Sequence, residues 1–217
     1  MSEQPTFDRV ASVYERLANF WSLGKVGQMK RSQLAYLGAE ERVLYVGVGP
    51  GDDALAAAAL GADVTCLDLS PKMVDGVRRR FEAEGLSGAF VVSDLFDYEP
   101  ERPFDVVAAN FLFGCFSDDR RGAAVAQVAG FLRPGGRLLV ADTGEPRGSV
   151  LARAFWYVYH GLAYGFSAIQ GLTPWLPRFD LEQDLAAAGC SIDERRFVRL
   201  WPRGPIAFET IVAVRDG

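Results

Sequence analysis

Val43-Leu44-Tyr45-Val46-Gly47-Val48-Gly49-Pro50-Gly51-Asp52-Asp53 is the stretch on which the reading of this chain turns. An apolar run of strand length ends in three glycines at alternate positions. A second apolar run then ends at Asp68, twenty-one residues after Gly47. This is the grammar of a strand–turn–helix–strand unit that holds a nucleotide or nucleoside. Glycine lets the backbone turn sharply and lets a ligand approach where a Cβ would stand. Asp68 sits where such units place a carboxylate for ribose hydroxyls, and an acceptor-only group suits two donors.

The spacing narrows the ligand. A pyrophosphate fingerprint reads G-x-G-x-x-G, and here Asp52 occupies the place of the third glycine. A pyrophosphate would rest on the helix N-terminus, drawn by its dipole and free N–H groups. Asp52 and Asp53 put two carboxylates there, which repel a dianion and are expected to cap the helix. A nucleoside without phosphate fits better, and S-adenosylmethionine is the common one. An NAD-dependent oxidoreductase shares the same logic but wants a glycine at position 52.

The flanking chain reads as one α/β domain. From the turn onward, strands are expected at Arg42–Val48, Asp63–Asp68, Ala89–Ser93, Phe104–Asn110 and Arg137–Asp142. Helices are expected over Asp52–Leu60, from Pro71 behind the N-cap Ser70 to about Glu84, and over Asp119–Leu132. Arg133-Pro134-Gly135-Gly136 reads as a tight turn before the fifth strand. The alternation implies a doubly wound, mostly parallel sheet with helices on both faces and functional loops along one edge. Upstream, Phe7, Val10, Val13, Tyr14 and Leu17 have helical spacing, and a second helix follows Gly24 and ends at Gly38. Downstream, a short helix over Phe179–Ala188 precedes a hairpin of Glu194–Trp201 and Ile206–Val214. The chain divides into a helical lid (1–40), a core (41–145), an aromatic insertion (146–178) and a C-terminal helix and hairpin (179–217).

Composition bounds the rest. The chain has 217 residues, 49% of them hydrophobic, and a net charge of −5. That suits one domain with a sizeable core and argues against duplex nucleic acid as a partner. Arg78-Arg79-Arg80 reads as a solvated helix face. Cys66, Cys115 and Cys190 have no metal-ligand spacing, and their scatter and odd number point to a reducing, cytoplasmic setting without metal or disulfides. The N-terminal residues lack an apolar signal core, and no run is apolar enough to span a bilayer.

The segment Ser149–Trp175 carries Phe155, Trp156, Tyr157, Tyr159, Tyr164 and Phe166. One or two helices are expected there over the functional edge, walling a pocket for a hydrophobic or aromatic small molecule. Contact with a membrane surface, or with a second subunit in a homodimer, is the other use such a segment serves. His160, the single histidine, is the candidate general base; Tyr157 is a further catalytic candidate, with Tyr159 and Asp142 weaker ones.

Taken together, Phe7-Asp8-Arg9-Val10-Ala11-Ser12-Val13-Tyr14, Asp68-Leu69-Ser70-Pro71-Lys72-Met73 and Leu132-Arg133-Pro134-Gly135-Gly136 make the chain resemble the class I S-adenosylmethionine-dependent methyltransferases. Within them it looks most like the ubiquinone/menaquinone-biosynthesis C-methyltransferases and bacterial phospholipid N-methyltransferases. The resemblance covers Val43–Thr143 closely. It implies a seven-stranded Rossmann-like sheet ordered 3-2-1-4-5-7-6 with strand 7 antiparallel, and release of S-adenosylhomocysteine as product. It further implies that Gly47, Gly49 and Gly51 frame the methionine and ribose, and that Asp68 grips the ribose. Leu69 and Met73 would pack on the adenine, with Asp94 and Leu95 at its amino edge. Asn110 would lie beside the methionine part, and Tyr14 would belong to the lid. The loop Asn110–Phe116 lacks the histidines often found there, which tells against a base at that place. Rival expectations are a phospholipid amine N-methyltransferase at the membrane surface and a non-catalytic cofactor-binding regulatory protein.

Overall fold

The run Arg42–Val46 forms β1, the strand around which the sheet is laid down. Val43, Leu44, Tyr45 and Val46 are all buried, because a central parallel strand has helices on both faces. The computed structural model describes residues 21–169 and 181–217. The helix expected over Phe7–Leu17, with Tyr14 on it, lies outside the described residues, as does Trp175.

β1 is flanked by β2 (Asp63–Asp68) and β4 (Phe104–Ala108), both parallel to it; β3 (Ala89–Val92) lies parallel outside β2. Beyond β4 come β5 (Leu132–Asp142), β7 (Ile206–Arg215) and β6 (Cys190–Arg199). The order is 3-2-1-4-5-7-6, with β7 antiparallel to both neighbours. This is the seven-stranded architecture expected from the resemblance.

Alternating side chains of β1 feed two cores. Leu44 and Val46 join Leu67, Val107, Leu138 and the helix α4 (Asp118–Gly130). Val43 and Tyr45 join Val64, Cys66, Val106 and two helices, α2 (Asp52–Ala59) and α3 (Pro71–Ala83). α3 begins as its sequence requires: Ser70 Oγ accepts from Met73 N at 3.1 Å, and Pro71 takes the first helical position. It buries Met73, Val74, Val77 and Phe81, the stripe of an amphipathic helix.

Three expectations shift. The helix after Gly24, α1 (Lys25–Ser32), passes into a 3-10 turn over Gln33–Tyr36 before Gly38. Arg133–Gly136 is no turn between elements; it is an irregularity inside β5. Phe104 pairs with Leu132 and Val106 with Arg137, so four residues of β5 oppose one of β4. Asp105, the residue opposite, anchors the bulge by accepting from Arg133 Nε at 2.6 Å and Arg42 N at 2.9 Å. The hairpin strands are longer than their hydrophobic pattern, because pairing continues through the charged residues of β6.

Among the described residues the aromatic segment holds a helix, α5 (Val150–Ile169), and α6 (Glu182–Ala187) leads into β6.

Candidate functional site

Three left-handed glycines follow β1: Gly47, Gly49 and Gly51 have φ of 65, 54 and 75°. They serve different ends. A Cβ on Gly51 would lie 2.6 Å from Val77 Cγ2, so this position is small to let α3 close on the turn. A Cβ on Gly49 would meet only Gly47 O, at 3.9 Å, and otherwise open space. Gly49 is therefore the backbone that a ligand can approach.

Asp68 closes the cradle. Its Oδ2 accepts from Gly49 N at 3.0 Å and its Oδ1 from Ser70 N at 2.9 Å. Two backbone donors hold the carboxylate in place at the carboxyl end of β2, beside the glycine turn. Leu69 beside it is an apolar side chain left 40% exposed, as a base-stacking surface requires. Met73 is nearly sealed at 6%. Asp94 accepts from Phe96 N through Oδ1 at 2.9 Å, leaving Oδ2 for an exocyclic amine. The Leu95 side chain belongs to the core, which leaves its backbone as the part a ligand could meet. These residues fit an adenosine.

The start of α2 departs from expectation. Its N-cap is Gly51, with no side-chain cap bond, so neither aspartate caps it. Asp52 pairs with Arg80, which also donates to the Pro50 carbonyl. One member of the arginine run thus pins the glycine turn, whereas Arg78 pairs with Asp75 on its own exposed face. Asp53 is buried and lies 3.5 Å from Lys30 Nζ on α1. Both carboxylates are answered by cations, so repulsion of a phosphate is weaker here than the sequence suggests.

Asn110 has a role that its position in the motif did not reveal. Its Oδ1 accepts from Ala141 N at 2.9 Å and Gln33 Nε2 at 2.8 Å; its Nδ2 donates to Asp53 Oδ2 at 3.0 Å and Gln33 Oε1 at 2.8 Å. Two acceptor sites and two donors are all used, so the side chain has no capacity left for a ligand. It ties the 3-10 turn after α1, the first turn of α2, the loop after β4 and the end of β5 into one polar knot. Any contact with the methionine part of a cofactor comes from its backbone. Gln33, 77 residues away, carries no local signal that would have singled it out.

The aromatic side corrects the choice of base. His160 is 2% exposed, packed against Trp156, Tyr159 and Phe208. It hydrogen-bonds the Ala207 backbone, and its Nε2 has no partner. Burial lowers its pKa to about 3, leaving a neutral ring far too weak a base for a phenol or quinol. Tyr157 is 48% exposed on the outer side of α5. The structure brings neither to the Asp68 cradle. Tyr159 instead donates to Trp21 O at 2.7 Å and stacks on Trp21, fastening α5 to the chain before α1.

Two buried carboxylates face one another at the end of β5. Asp142 ends β5 directly opposite Glu209 of β7, and both are buried. Burial, with Glu209 nearby, pushes the Asp142 carboxyl up to about 7, against donation from the Thr143 and Gly114 backbone. Glu209 is also raised by burial, although Arg195 Nε donates to it at 2.8 Å.

Residues 43–136 match the model of a methyltransferase domain. Over those residues the chain is similar to methyltransferase domains. A demethylmenaquinone methyltransferase of Thermus thermophilus is 34% identical over 145 residues, covering 64% of this chain and 65% of that one. The chain thus spans a little under two-thirds of that relative's length. The solved 1,6-didemethyltoxoflavin N1-methyltransferase of Burkholderia thailandensis, with its substrate and S-adenosylhomocysteine bound, superposes with a TM-score of 0.70 at 19% identity, over 97% of this chain and 86% of that one. The magnesium protoporphyrin IX methyltransferase of Synechocystis, with S-adenosylhomocysteine bound, does so with a TM-score of 0.64 at 20% identity, over 87% and 82%. At these identities the likeness establishes the methyltransferase fold.

Proposed function

We propose that this methyltransferase transfers a methyl group from S-adenosylmethionine to a small, apolar, ring-bearing acceptor. The observation that carries the reading is the Asp68 carboxylate, fixed by the Gly49 and Ser70 amides at the glycine turn, beside the exposed Leu69.

When bound, S-adenosylmethionine supplies a methyl group already activated on a sulfonium. What the protein contributes is alignment, and holding two reactants in line supplies about 7–11 kcal/mol of the barrier. Asp68 grips the ribose, Leu69 and the Leu95 backbone locate the adenine, and Gly49 lets the backbone close on the ligand. The Asn110–Gln33–Asp53 knot keeps the turn from moving. Phe111 and Tyr159, packed with Phe208 and Ala141 of β5 in one apolar cluster, support an aromatic acceptor. The kinship with demethylmenaquinone methyltransferases supports the same class. With His160 neutral and enclosed, an acceptor that arrives as its anion or as a free amine needs no protein base.

Calorimetry with S-adenosylhomocysteine tests this. The native chain binds it and ignores NAD. Asp68→Ala loses about 100-fold in affinity, as two charge-assisted hydrogen bonds require. Unchanged affinity in the variant, or preference for NAD, refutes the reading.

A further inference from the structure

Along its described residues α5 buries one stripe and leaves an apolar arc exposed. Trp156 and His160, one turn apart, are buried. On the far side Val150 and Leu151 are each 82% exposed, Val158 64%, Leu162 63% and Tyr157 48%. Ala154 and Gly161 lie among them. At about 100° per residue these seven positions fall within an arc of roughly 140°. That arc carries no charge, whereas the outer face of a surface helix is ordinarily polar. An exposed apolar face of this kind marks an interaction surface.

What borders the face is positive. A cavity of about 470 Å³ at the N-terminal end of α5 is lined by Arg147, Ser149, Phe155, Arg199, Trp201 and Arg203. Leu151 belongs to both the cavity wall and the bare arc, so the two are continuous. Arg147 stacks on Phe197 at 4.4 Å, with Glu145 at 4.0 Å from its guanidinium. Trp201, 45% exposed, meets Phe155 edge-on. Residues 146–169 contain Arg147 and Arg153 and no acid; residues 197–208 contain Arg199 and Arg203 and no acid. This concentration stands out in a chain of net charge −5.

We propose that the outer face of α5 and the tip of the β6–β7 hairpin dock on an anionic phospholipid bilayer. The arginines meet headgroup phosphates, Trp201 and Tyr157 sit at the interface, and Val150, Leu151, Val158 and Leu162 enter the acyl boundary. Among the described residues no helix is long and apolar enough to cross a membrane, so the element lies on the surface. The inference is independent of methyl transfer, since its readout is partition alone.

The test is co-sedimentation of the whole chain with vesicles of phosphatidylglycerol and phosphatidylcholine in equal parts, against phosphatidylcholine alone. The chain pellets with the anionic vesicles, and added salt releases it. Arg199→Gln with Arg203→Gln weakens partition about 25-fold, about five-fold per arginine. Leu151→Asp with Val158→Asp abolishes it. Arg79→Gln, an exposed arginine on α3, leaves it unchanged. Retained melting temperature and S-adenosylhomocysteine binding show that each variant is folded. A chain that stays in the supernatant overturns the proposal, as does partition indifferent to these four substitutions. So does a dimer that Leu151→Asp dissociates while vesicles are ignored, for the face is then a subunit contact.

Discussion

The cradle at the ends of β1 and β2 and the region where α5 meets the hairpin handle buried polarity in opposite ways. In the first, Asn110 uses all four of its hydrogen-bonding sites and Asp68 is held by two amides. In the second, His160 Nε2 and Glu209 Oε1 are buried without a partner, and Asp142 is driven toward neutrality. A satisfied network is rigid and presents one shape, which suits a cofactor of fixed chemistry. Unsatisfied buried groups cost stability and leave a region that repacks more readily. The difference separates a rigid cradle from a region freer to repack.

The comparison is broken or sharpened first by pH. The Asp142 carboxyl is raised from 3.8 to about 7 in the folded chain, so the native state holds the proton that the unfolded state has lost. Its stabilising contribution is full below about pH 4 and is lost as pH rises through 7, a span on the order of 4 kcal/mol. Denaturant unfolding of Asp142→Asn is expected to flatten that slope. An unchanged slope would place the cost of burial elsewhere.

Next come the glycines. Gly51→Ala forces a Cβ to within 2.6 Å of Val77 at a positive φ, and is expected to cost about 3 kcal/mol in thermal or chemical unfolding. Gly49→Ala meets open space and costs about 1 kcal/mol in stability, yet weakens S-adenosylhomocysteine binding at least as much as it destabilises the fold. Equal stability losses would dissolve the distinction between a packing glycine and a ligand glycine.

Asn110→Ala strands the Ala141 amide and removes one donor from buried Asp53. A loss of about 2 kcal/mol, with faster amide exchange at Ala141, is the expected result. His160→Phe is milder. It forfeits the Ala207 bond but also the unpartnered nitrogen, so the net change at neutral pH is about 1 kcal/mol and turnover is retained. Because burial depresses the histidine from 6.5 to about 3, its contribution is present above pH 6.5 and is lost as pH falls through 3. The variant is expected to lose that acid sensitivity. Loss of turnover with unchanged folding would restore His160 as a base. The smallest effect belongs to Tyr157→Phe, within about 0.5 kcal/mol by melting, since its ring stands half in solvent.

The β2 boundaries and the Ser70–Pro71 helix start were legible because each rests on short-range chemistry, whereas the order of the sheet followed from the resemblance. The Arg133–Gly136 bulge was not. Proline and two glycines read locally as a stop, and only pairing with β4 and capture by Asp105 keep them in the strand. The candidate base failed for a similar reason. Residue type suggested His160, while burial among Trp156, Tyr159 and Phe208 set its protonation. The split of Asp52 from Asp53 was equally hidden. Adjacent in sequence, they point to Arg80 and Lys30 on different helices.

By itself the sequence determined the alternation of strands and helices, the glycine turn and the acceptor poised at Asp68, because propensity, hydrophobic period and backbone sterics act over a few residues. Only the tertiary structure decided which polar groups are answered, which are stranded and which apolar face is left bare. Those outcomes depend on partners tens of residues away in the chain, and on a desolvation that no local pattern encodes.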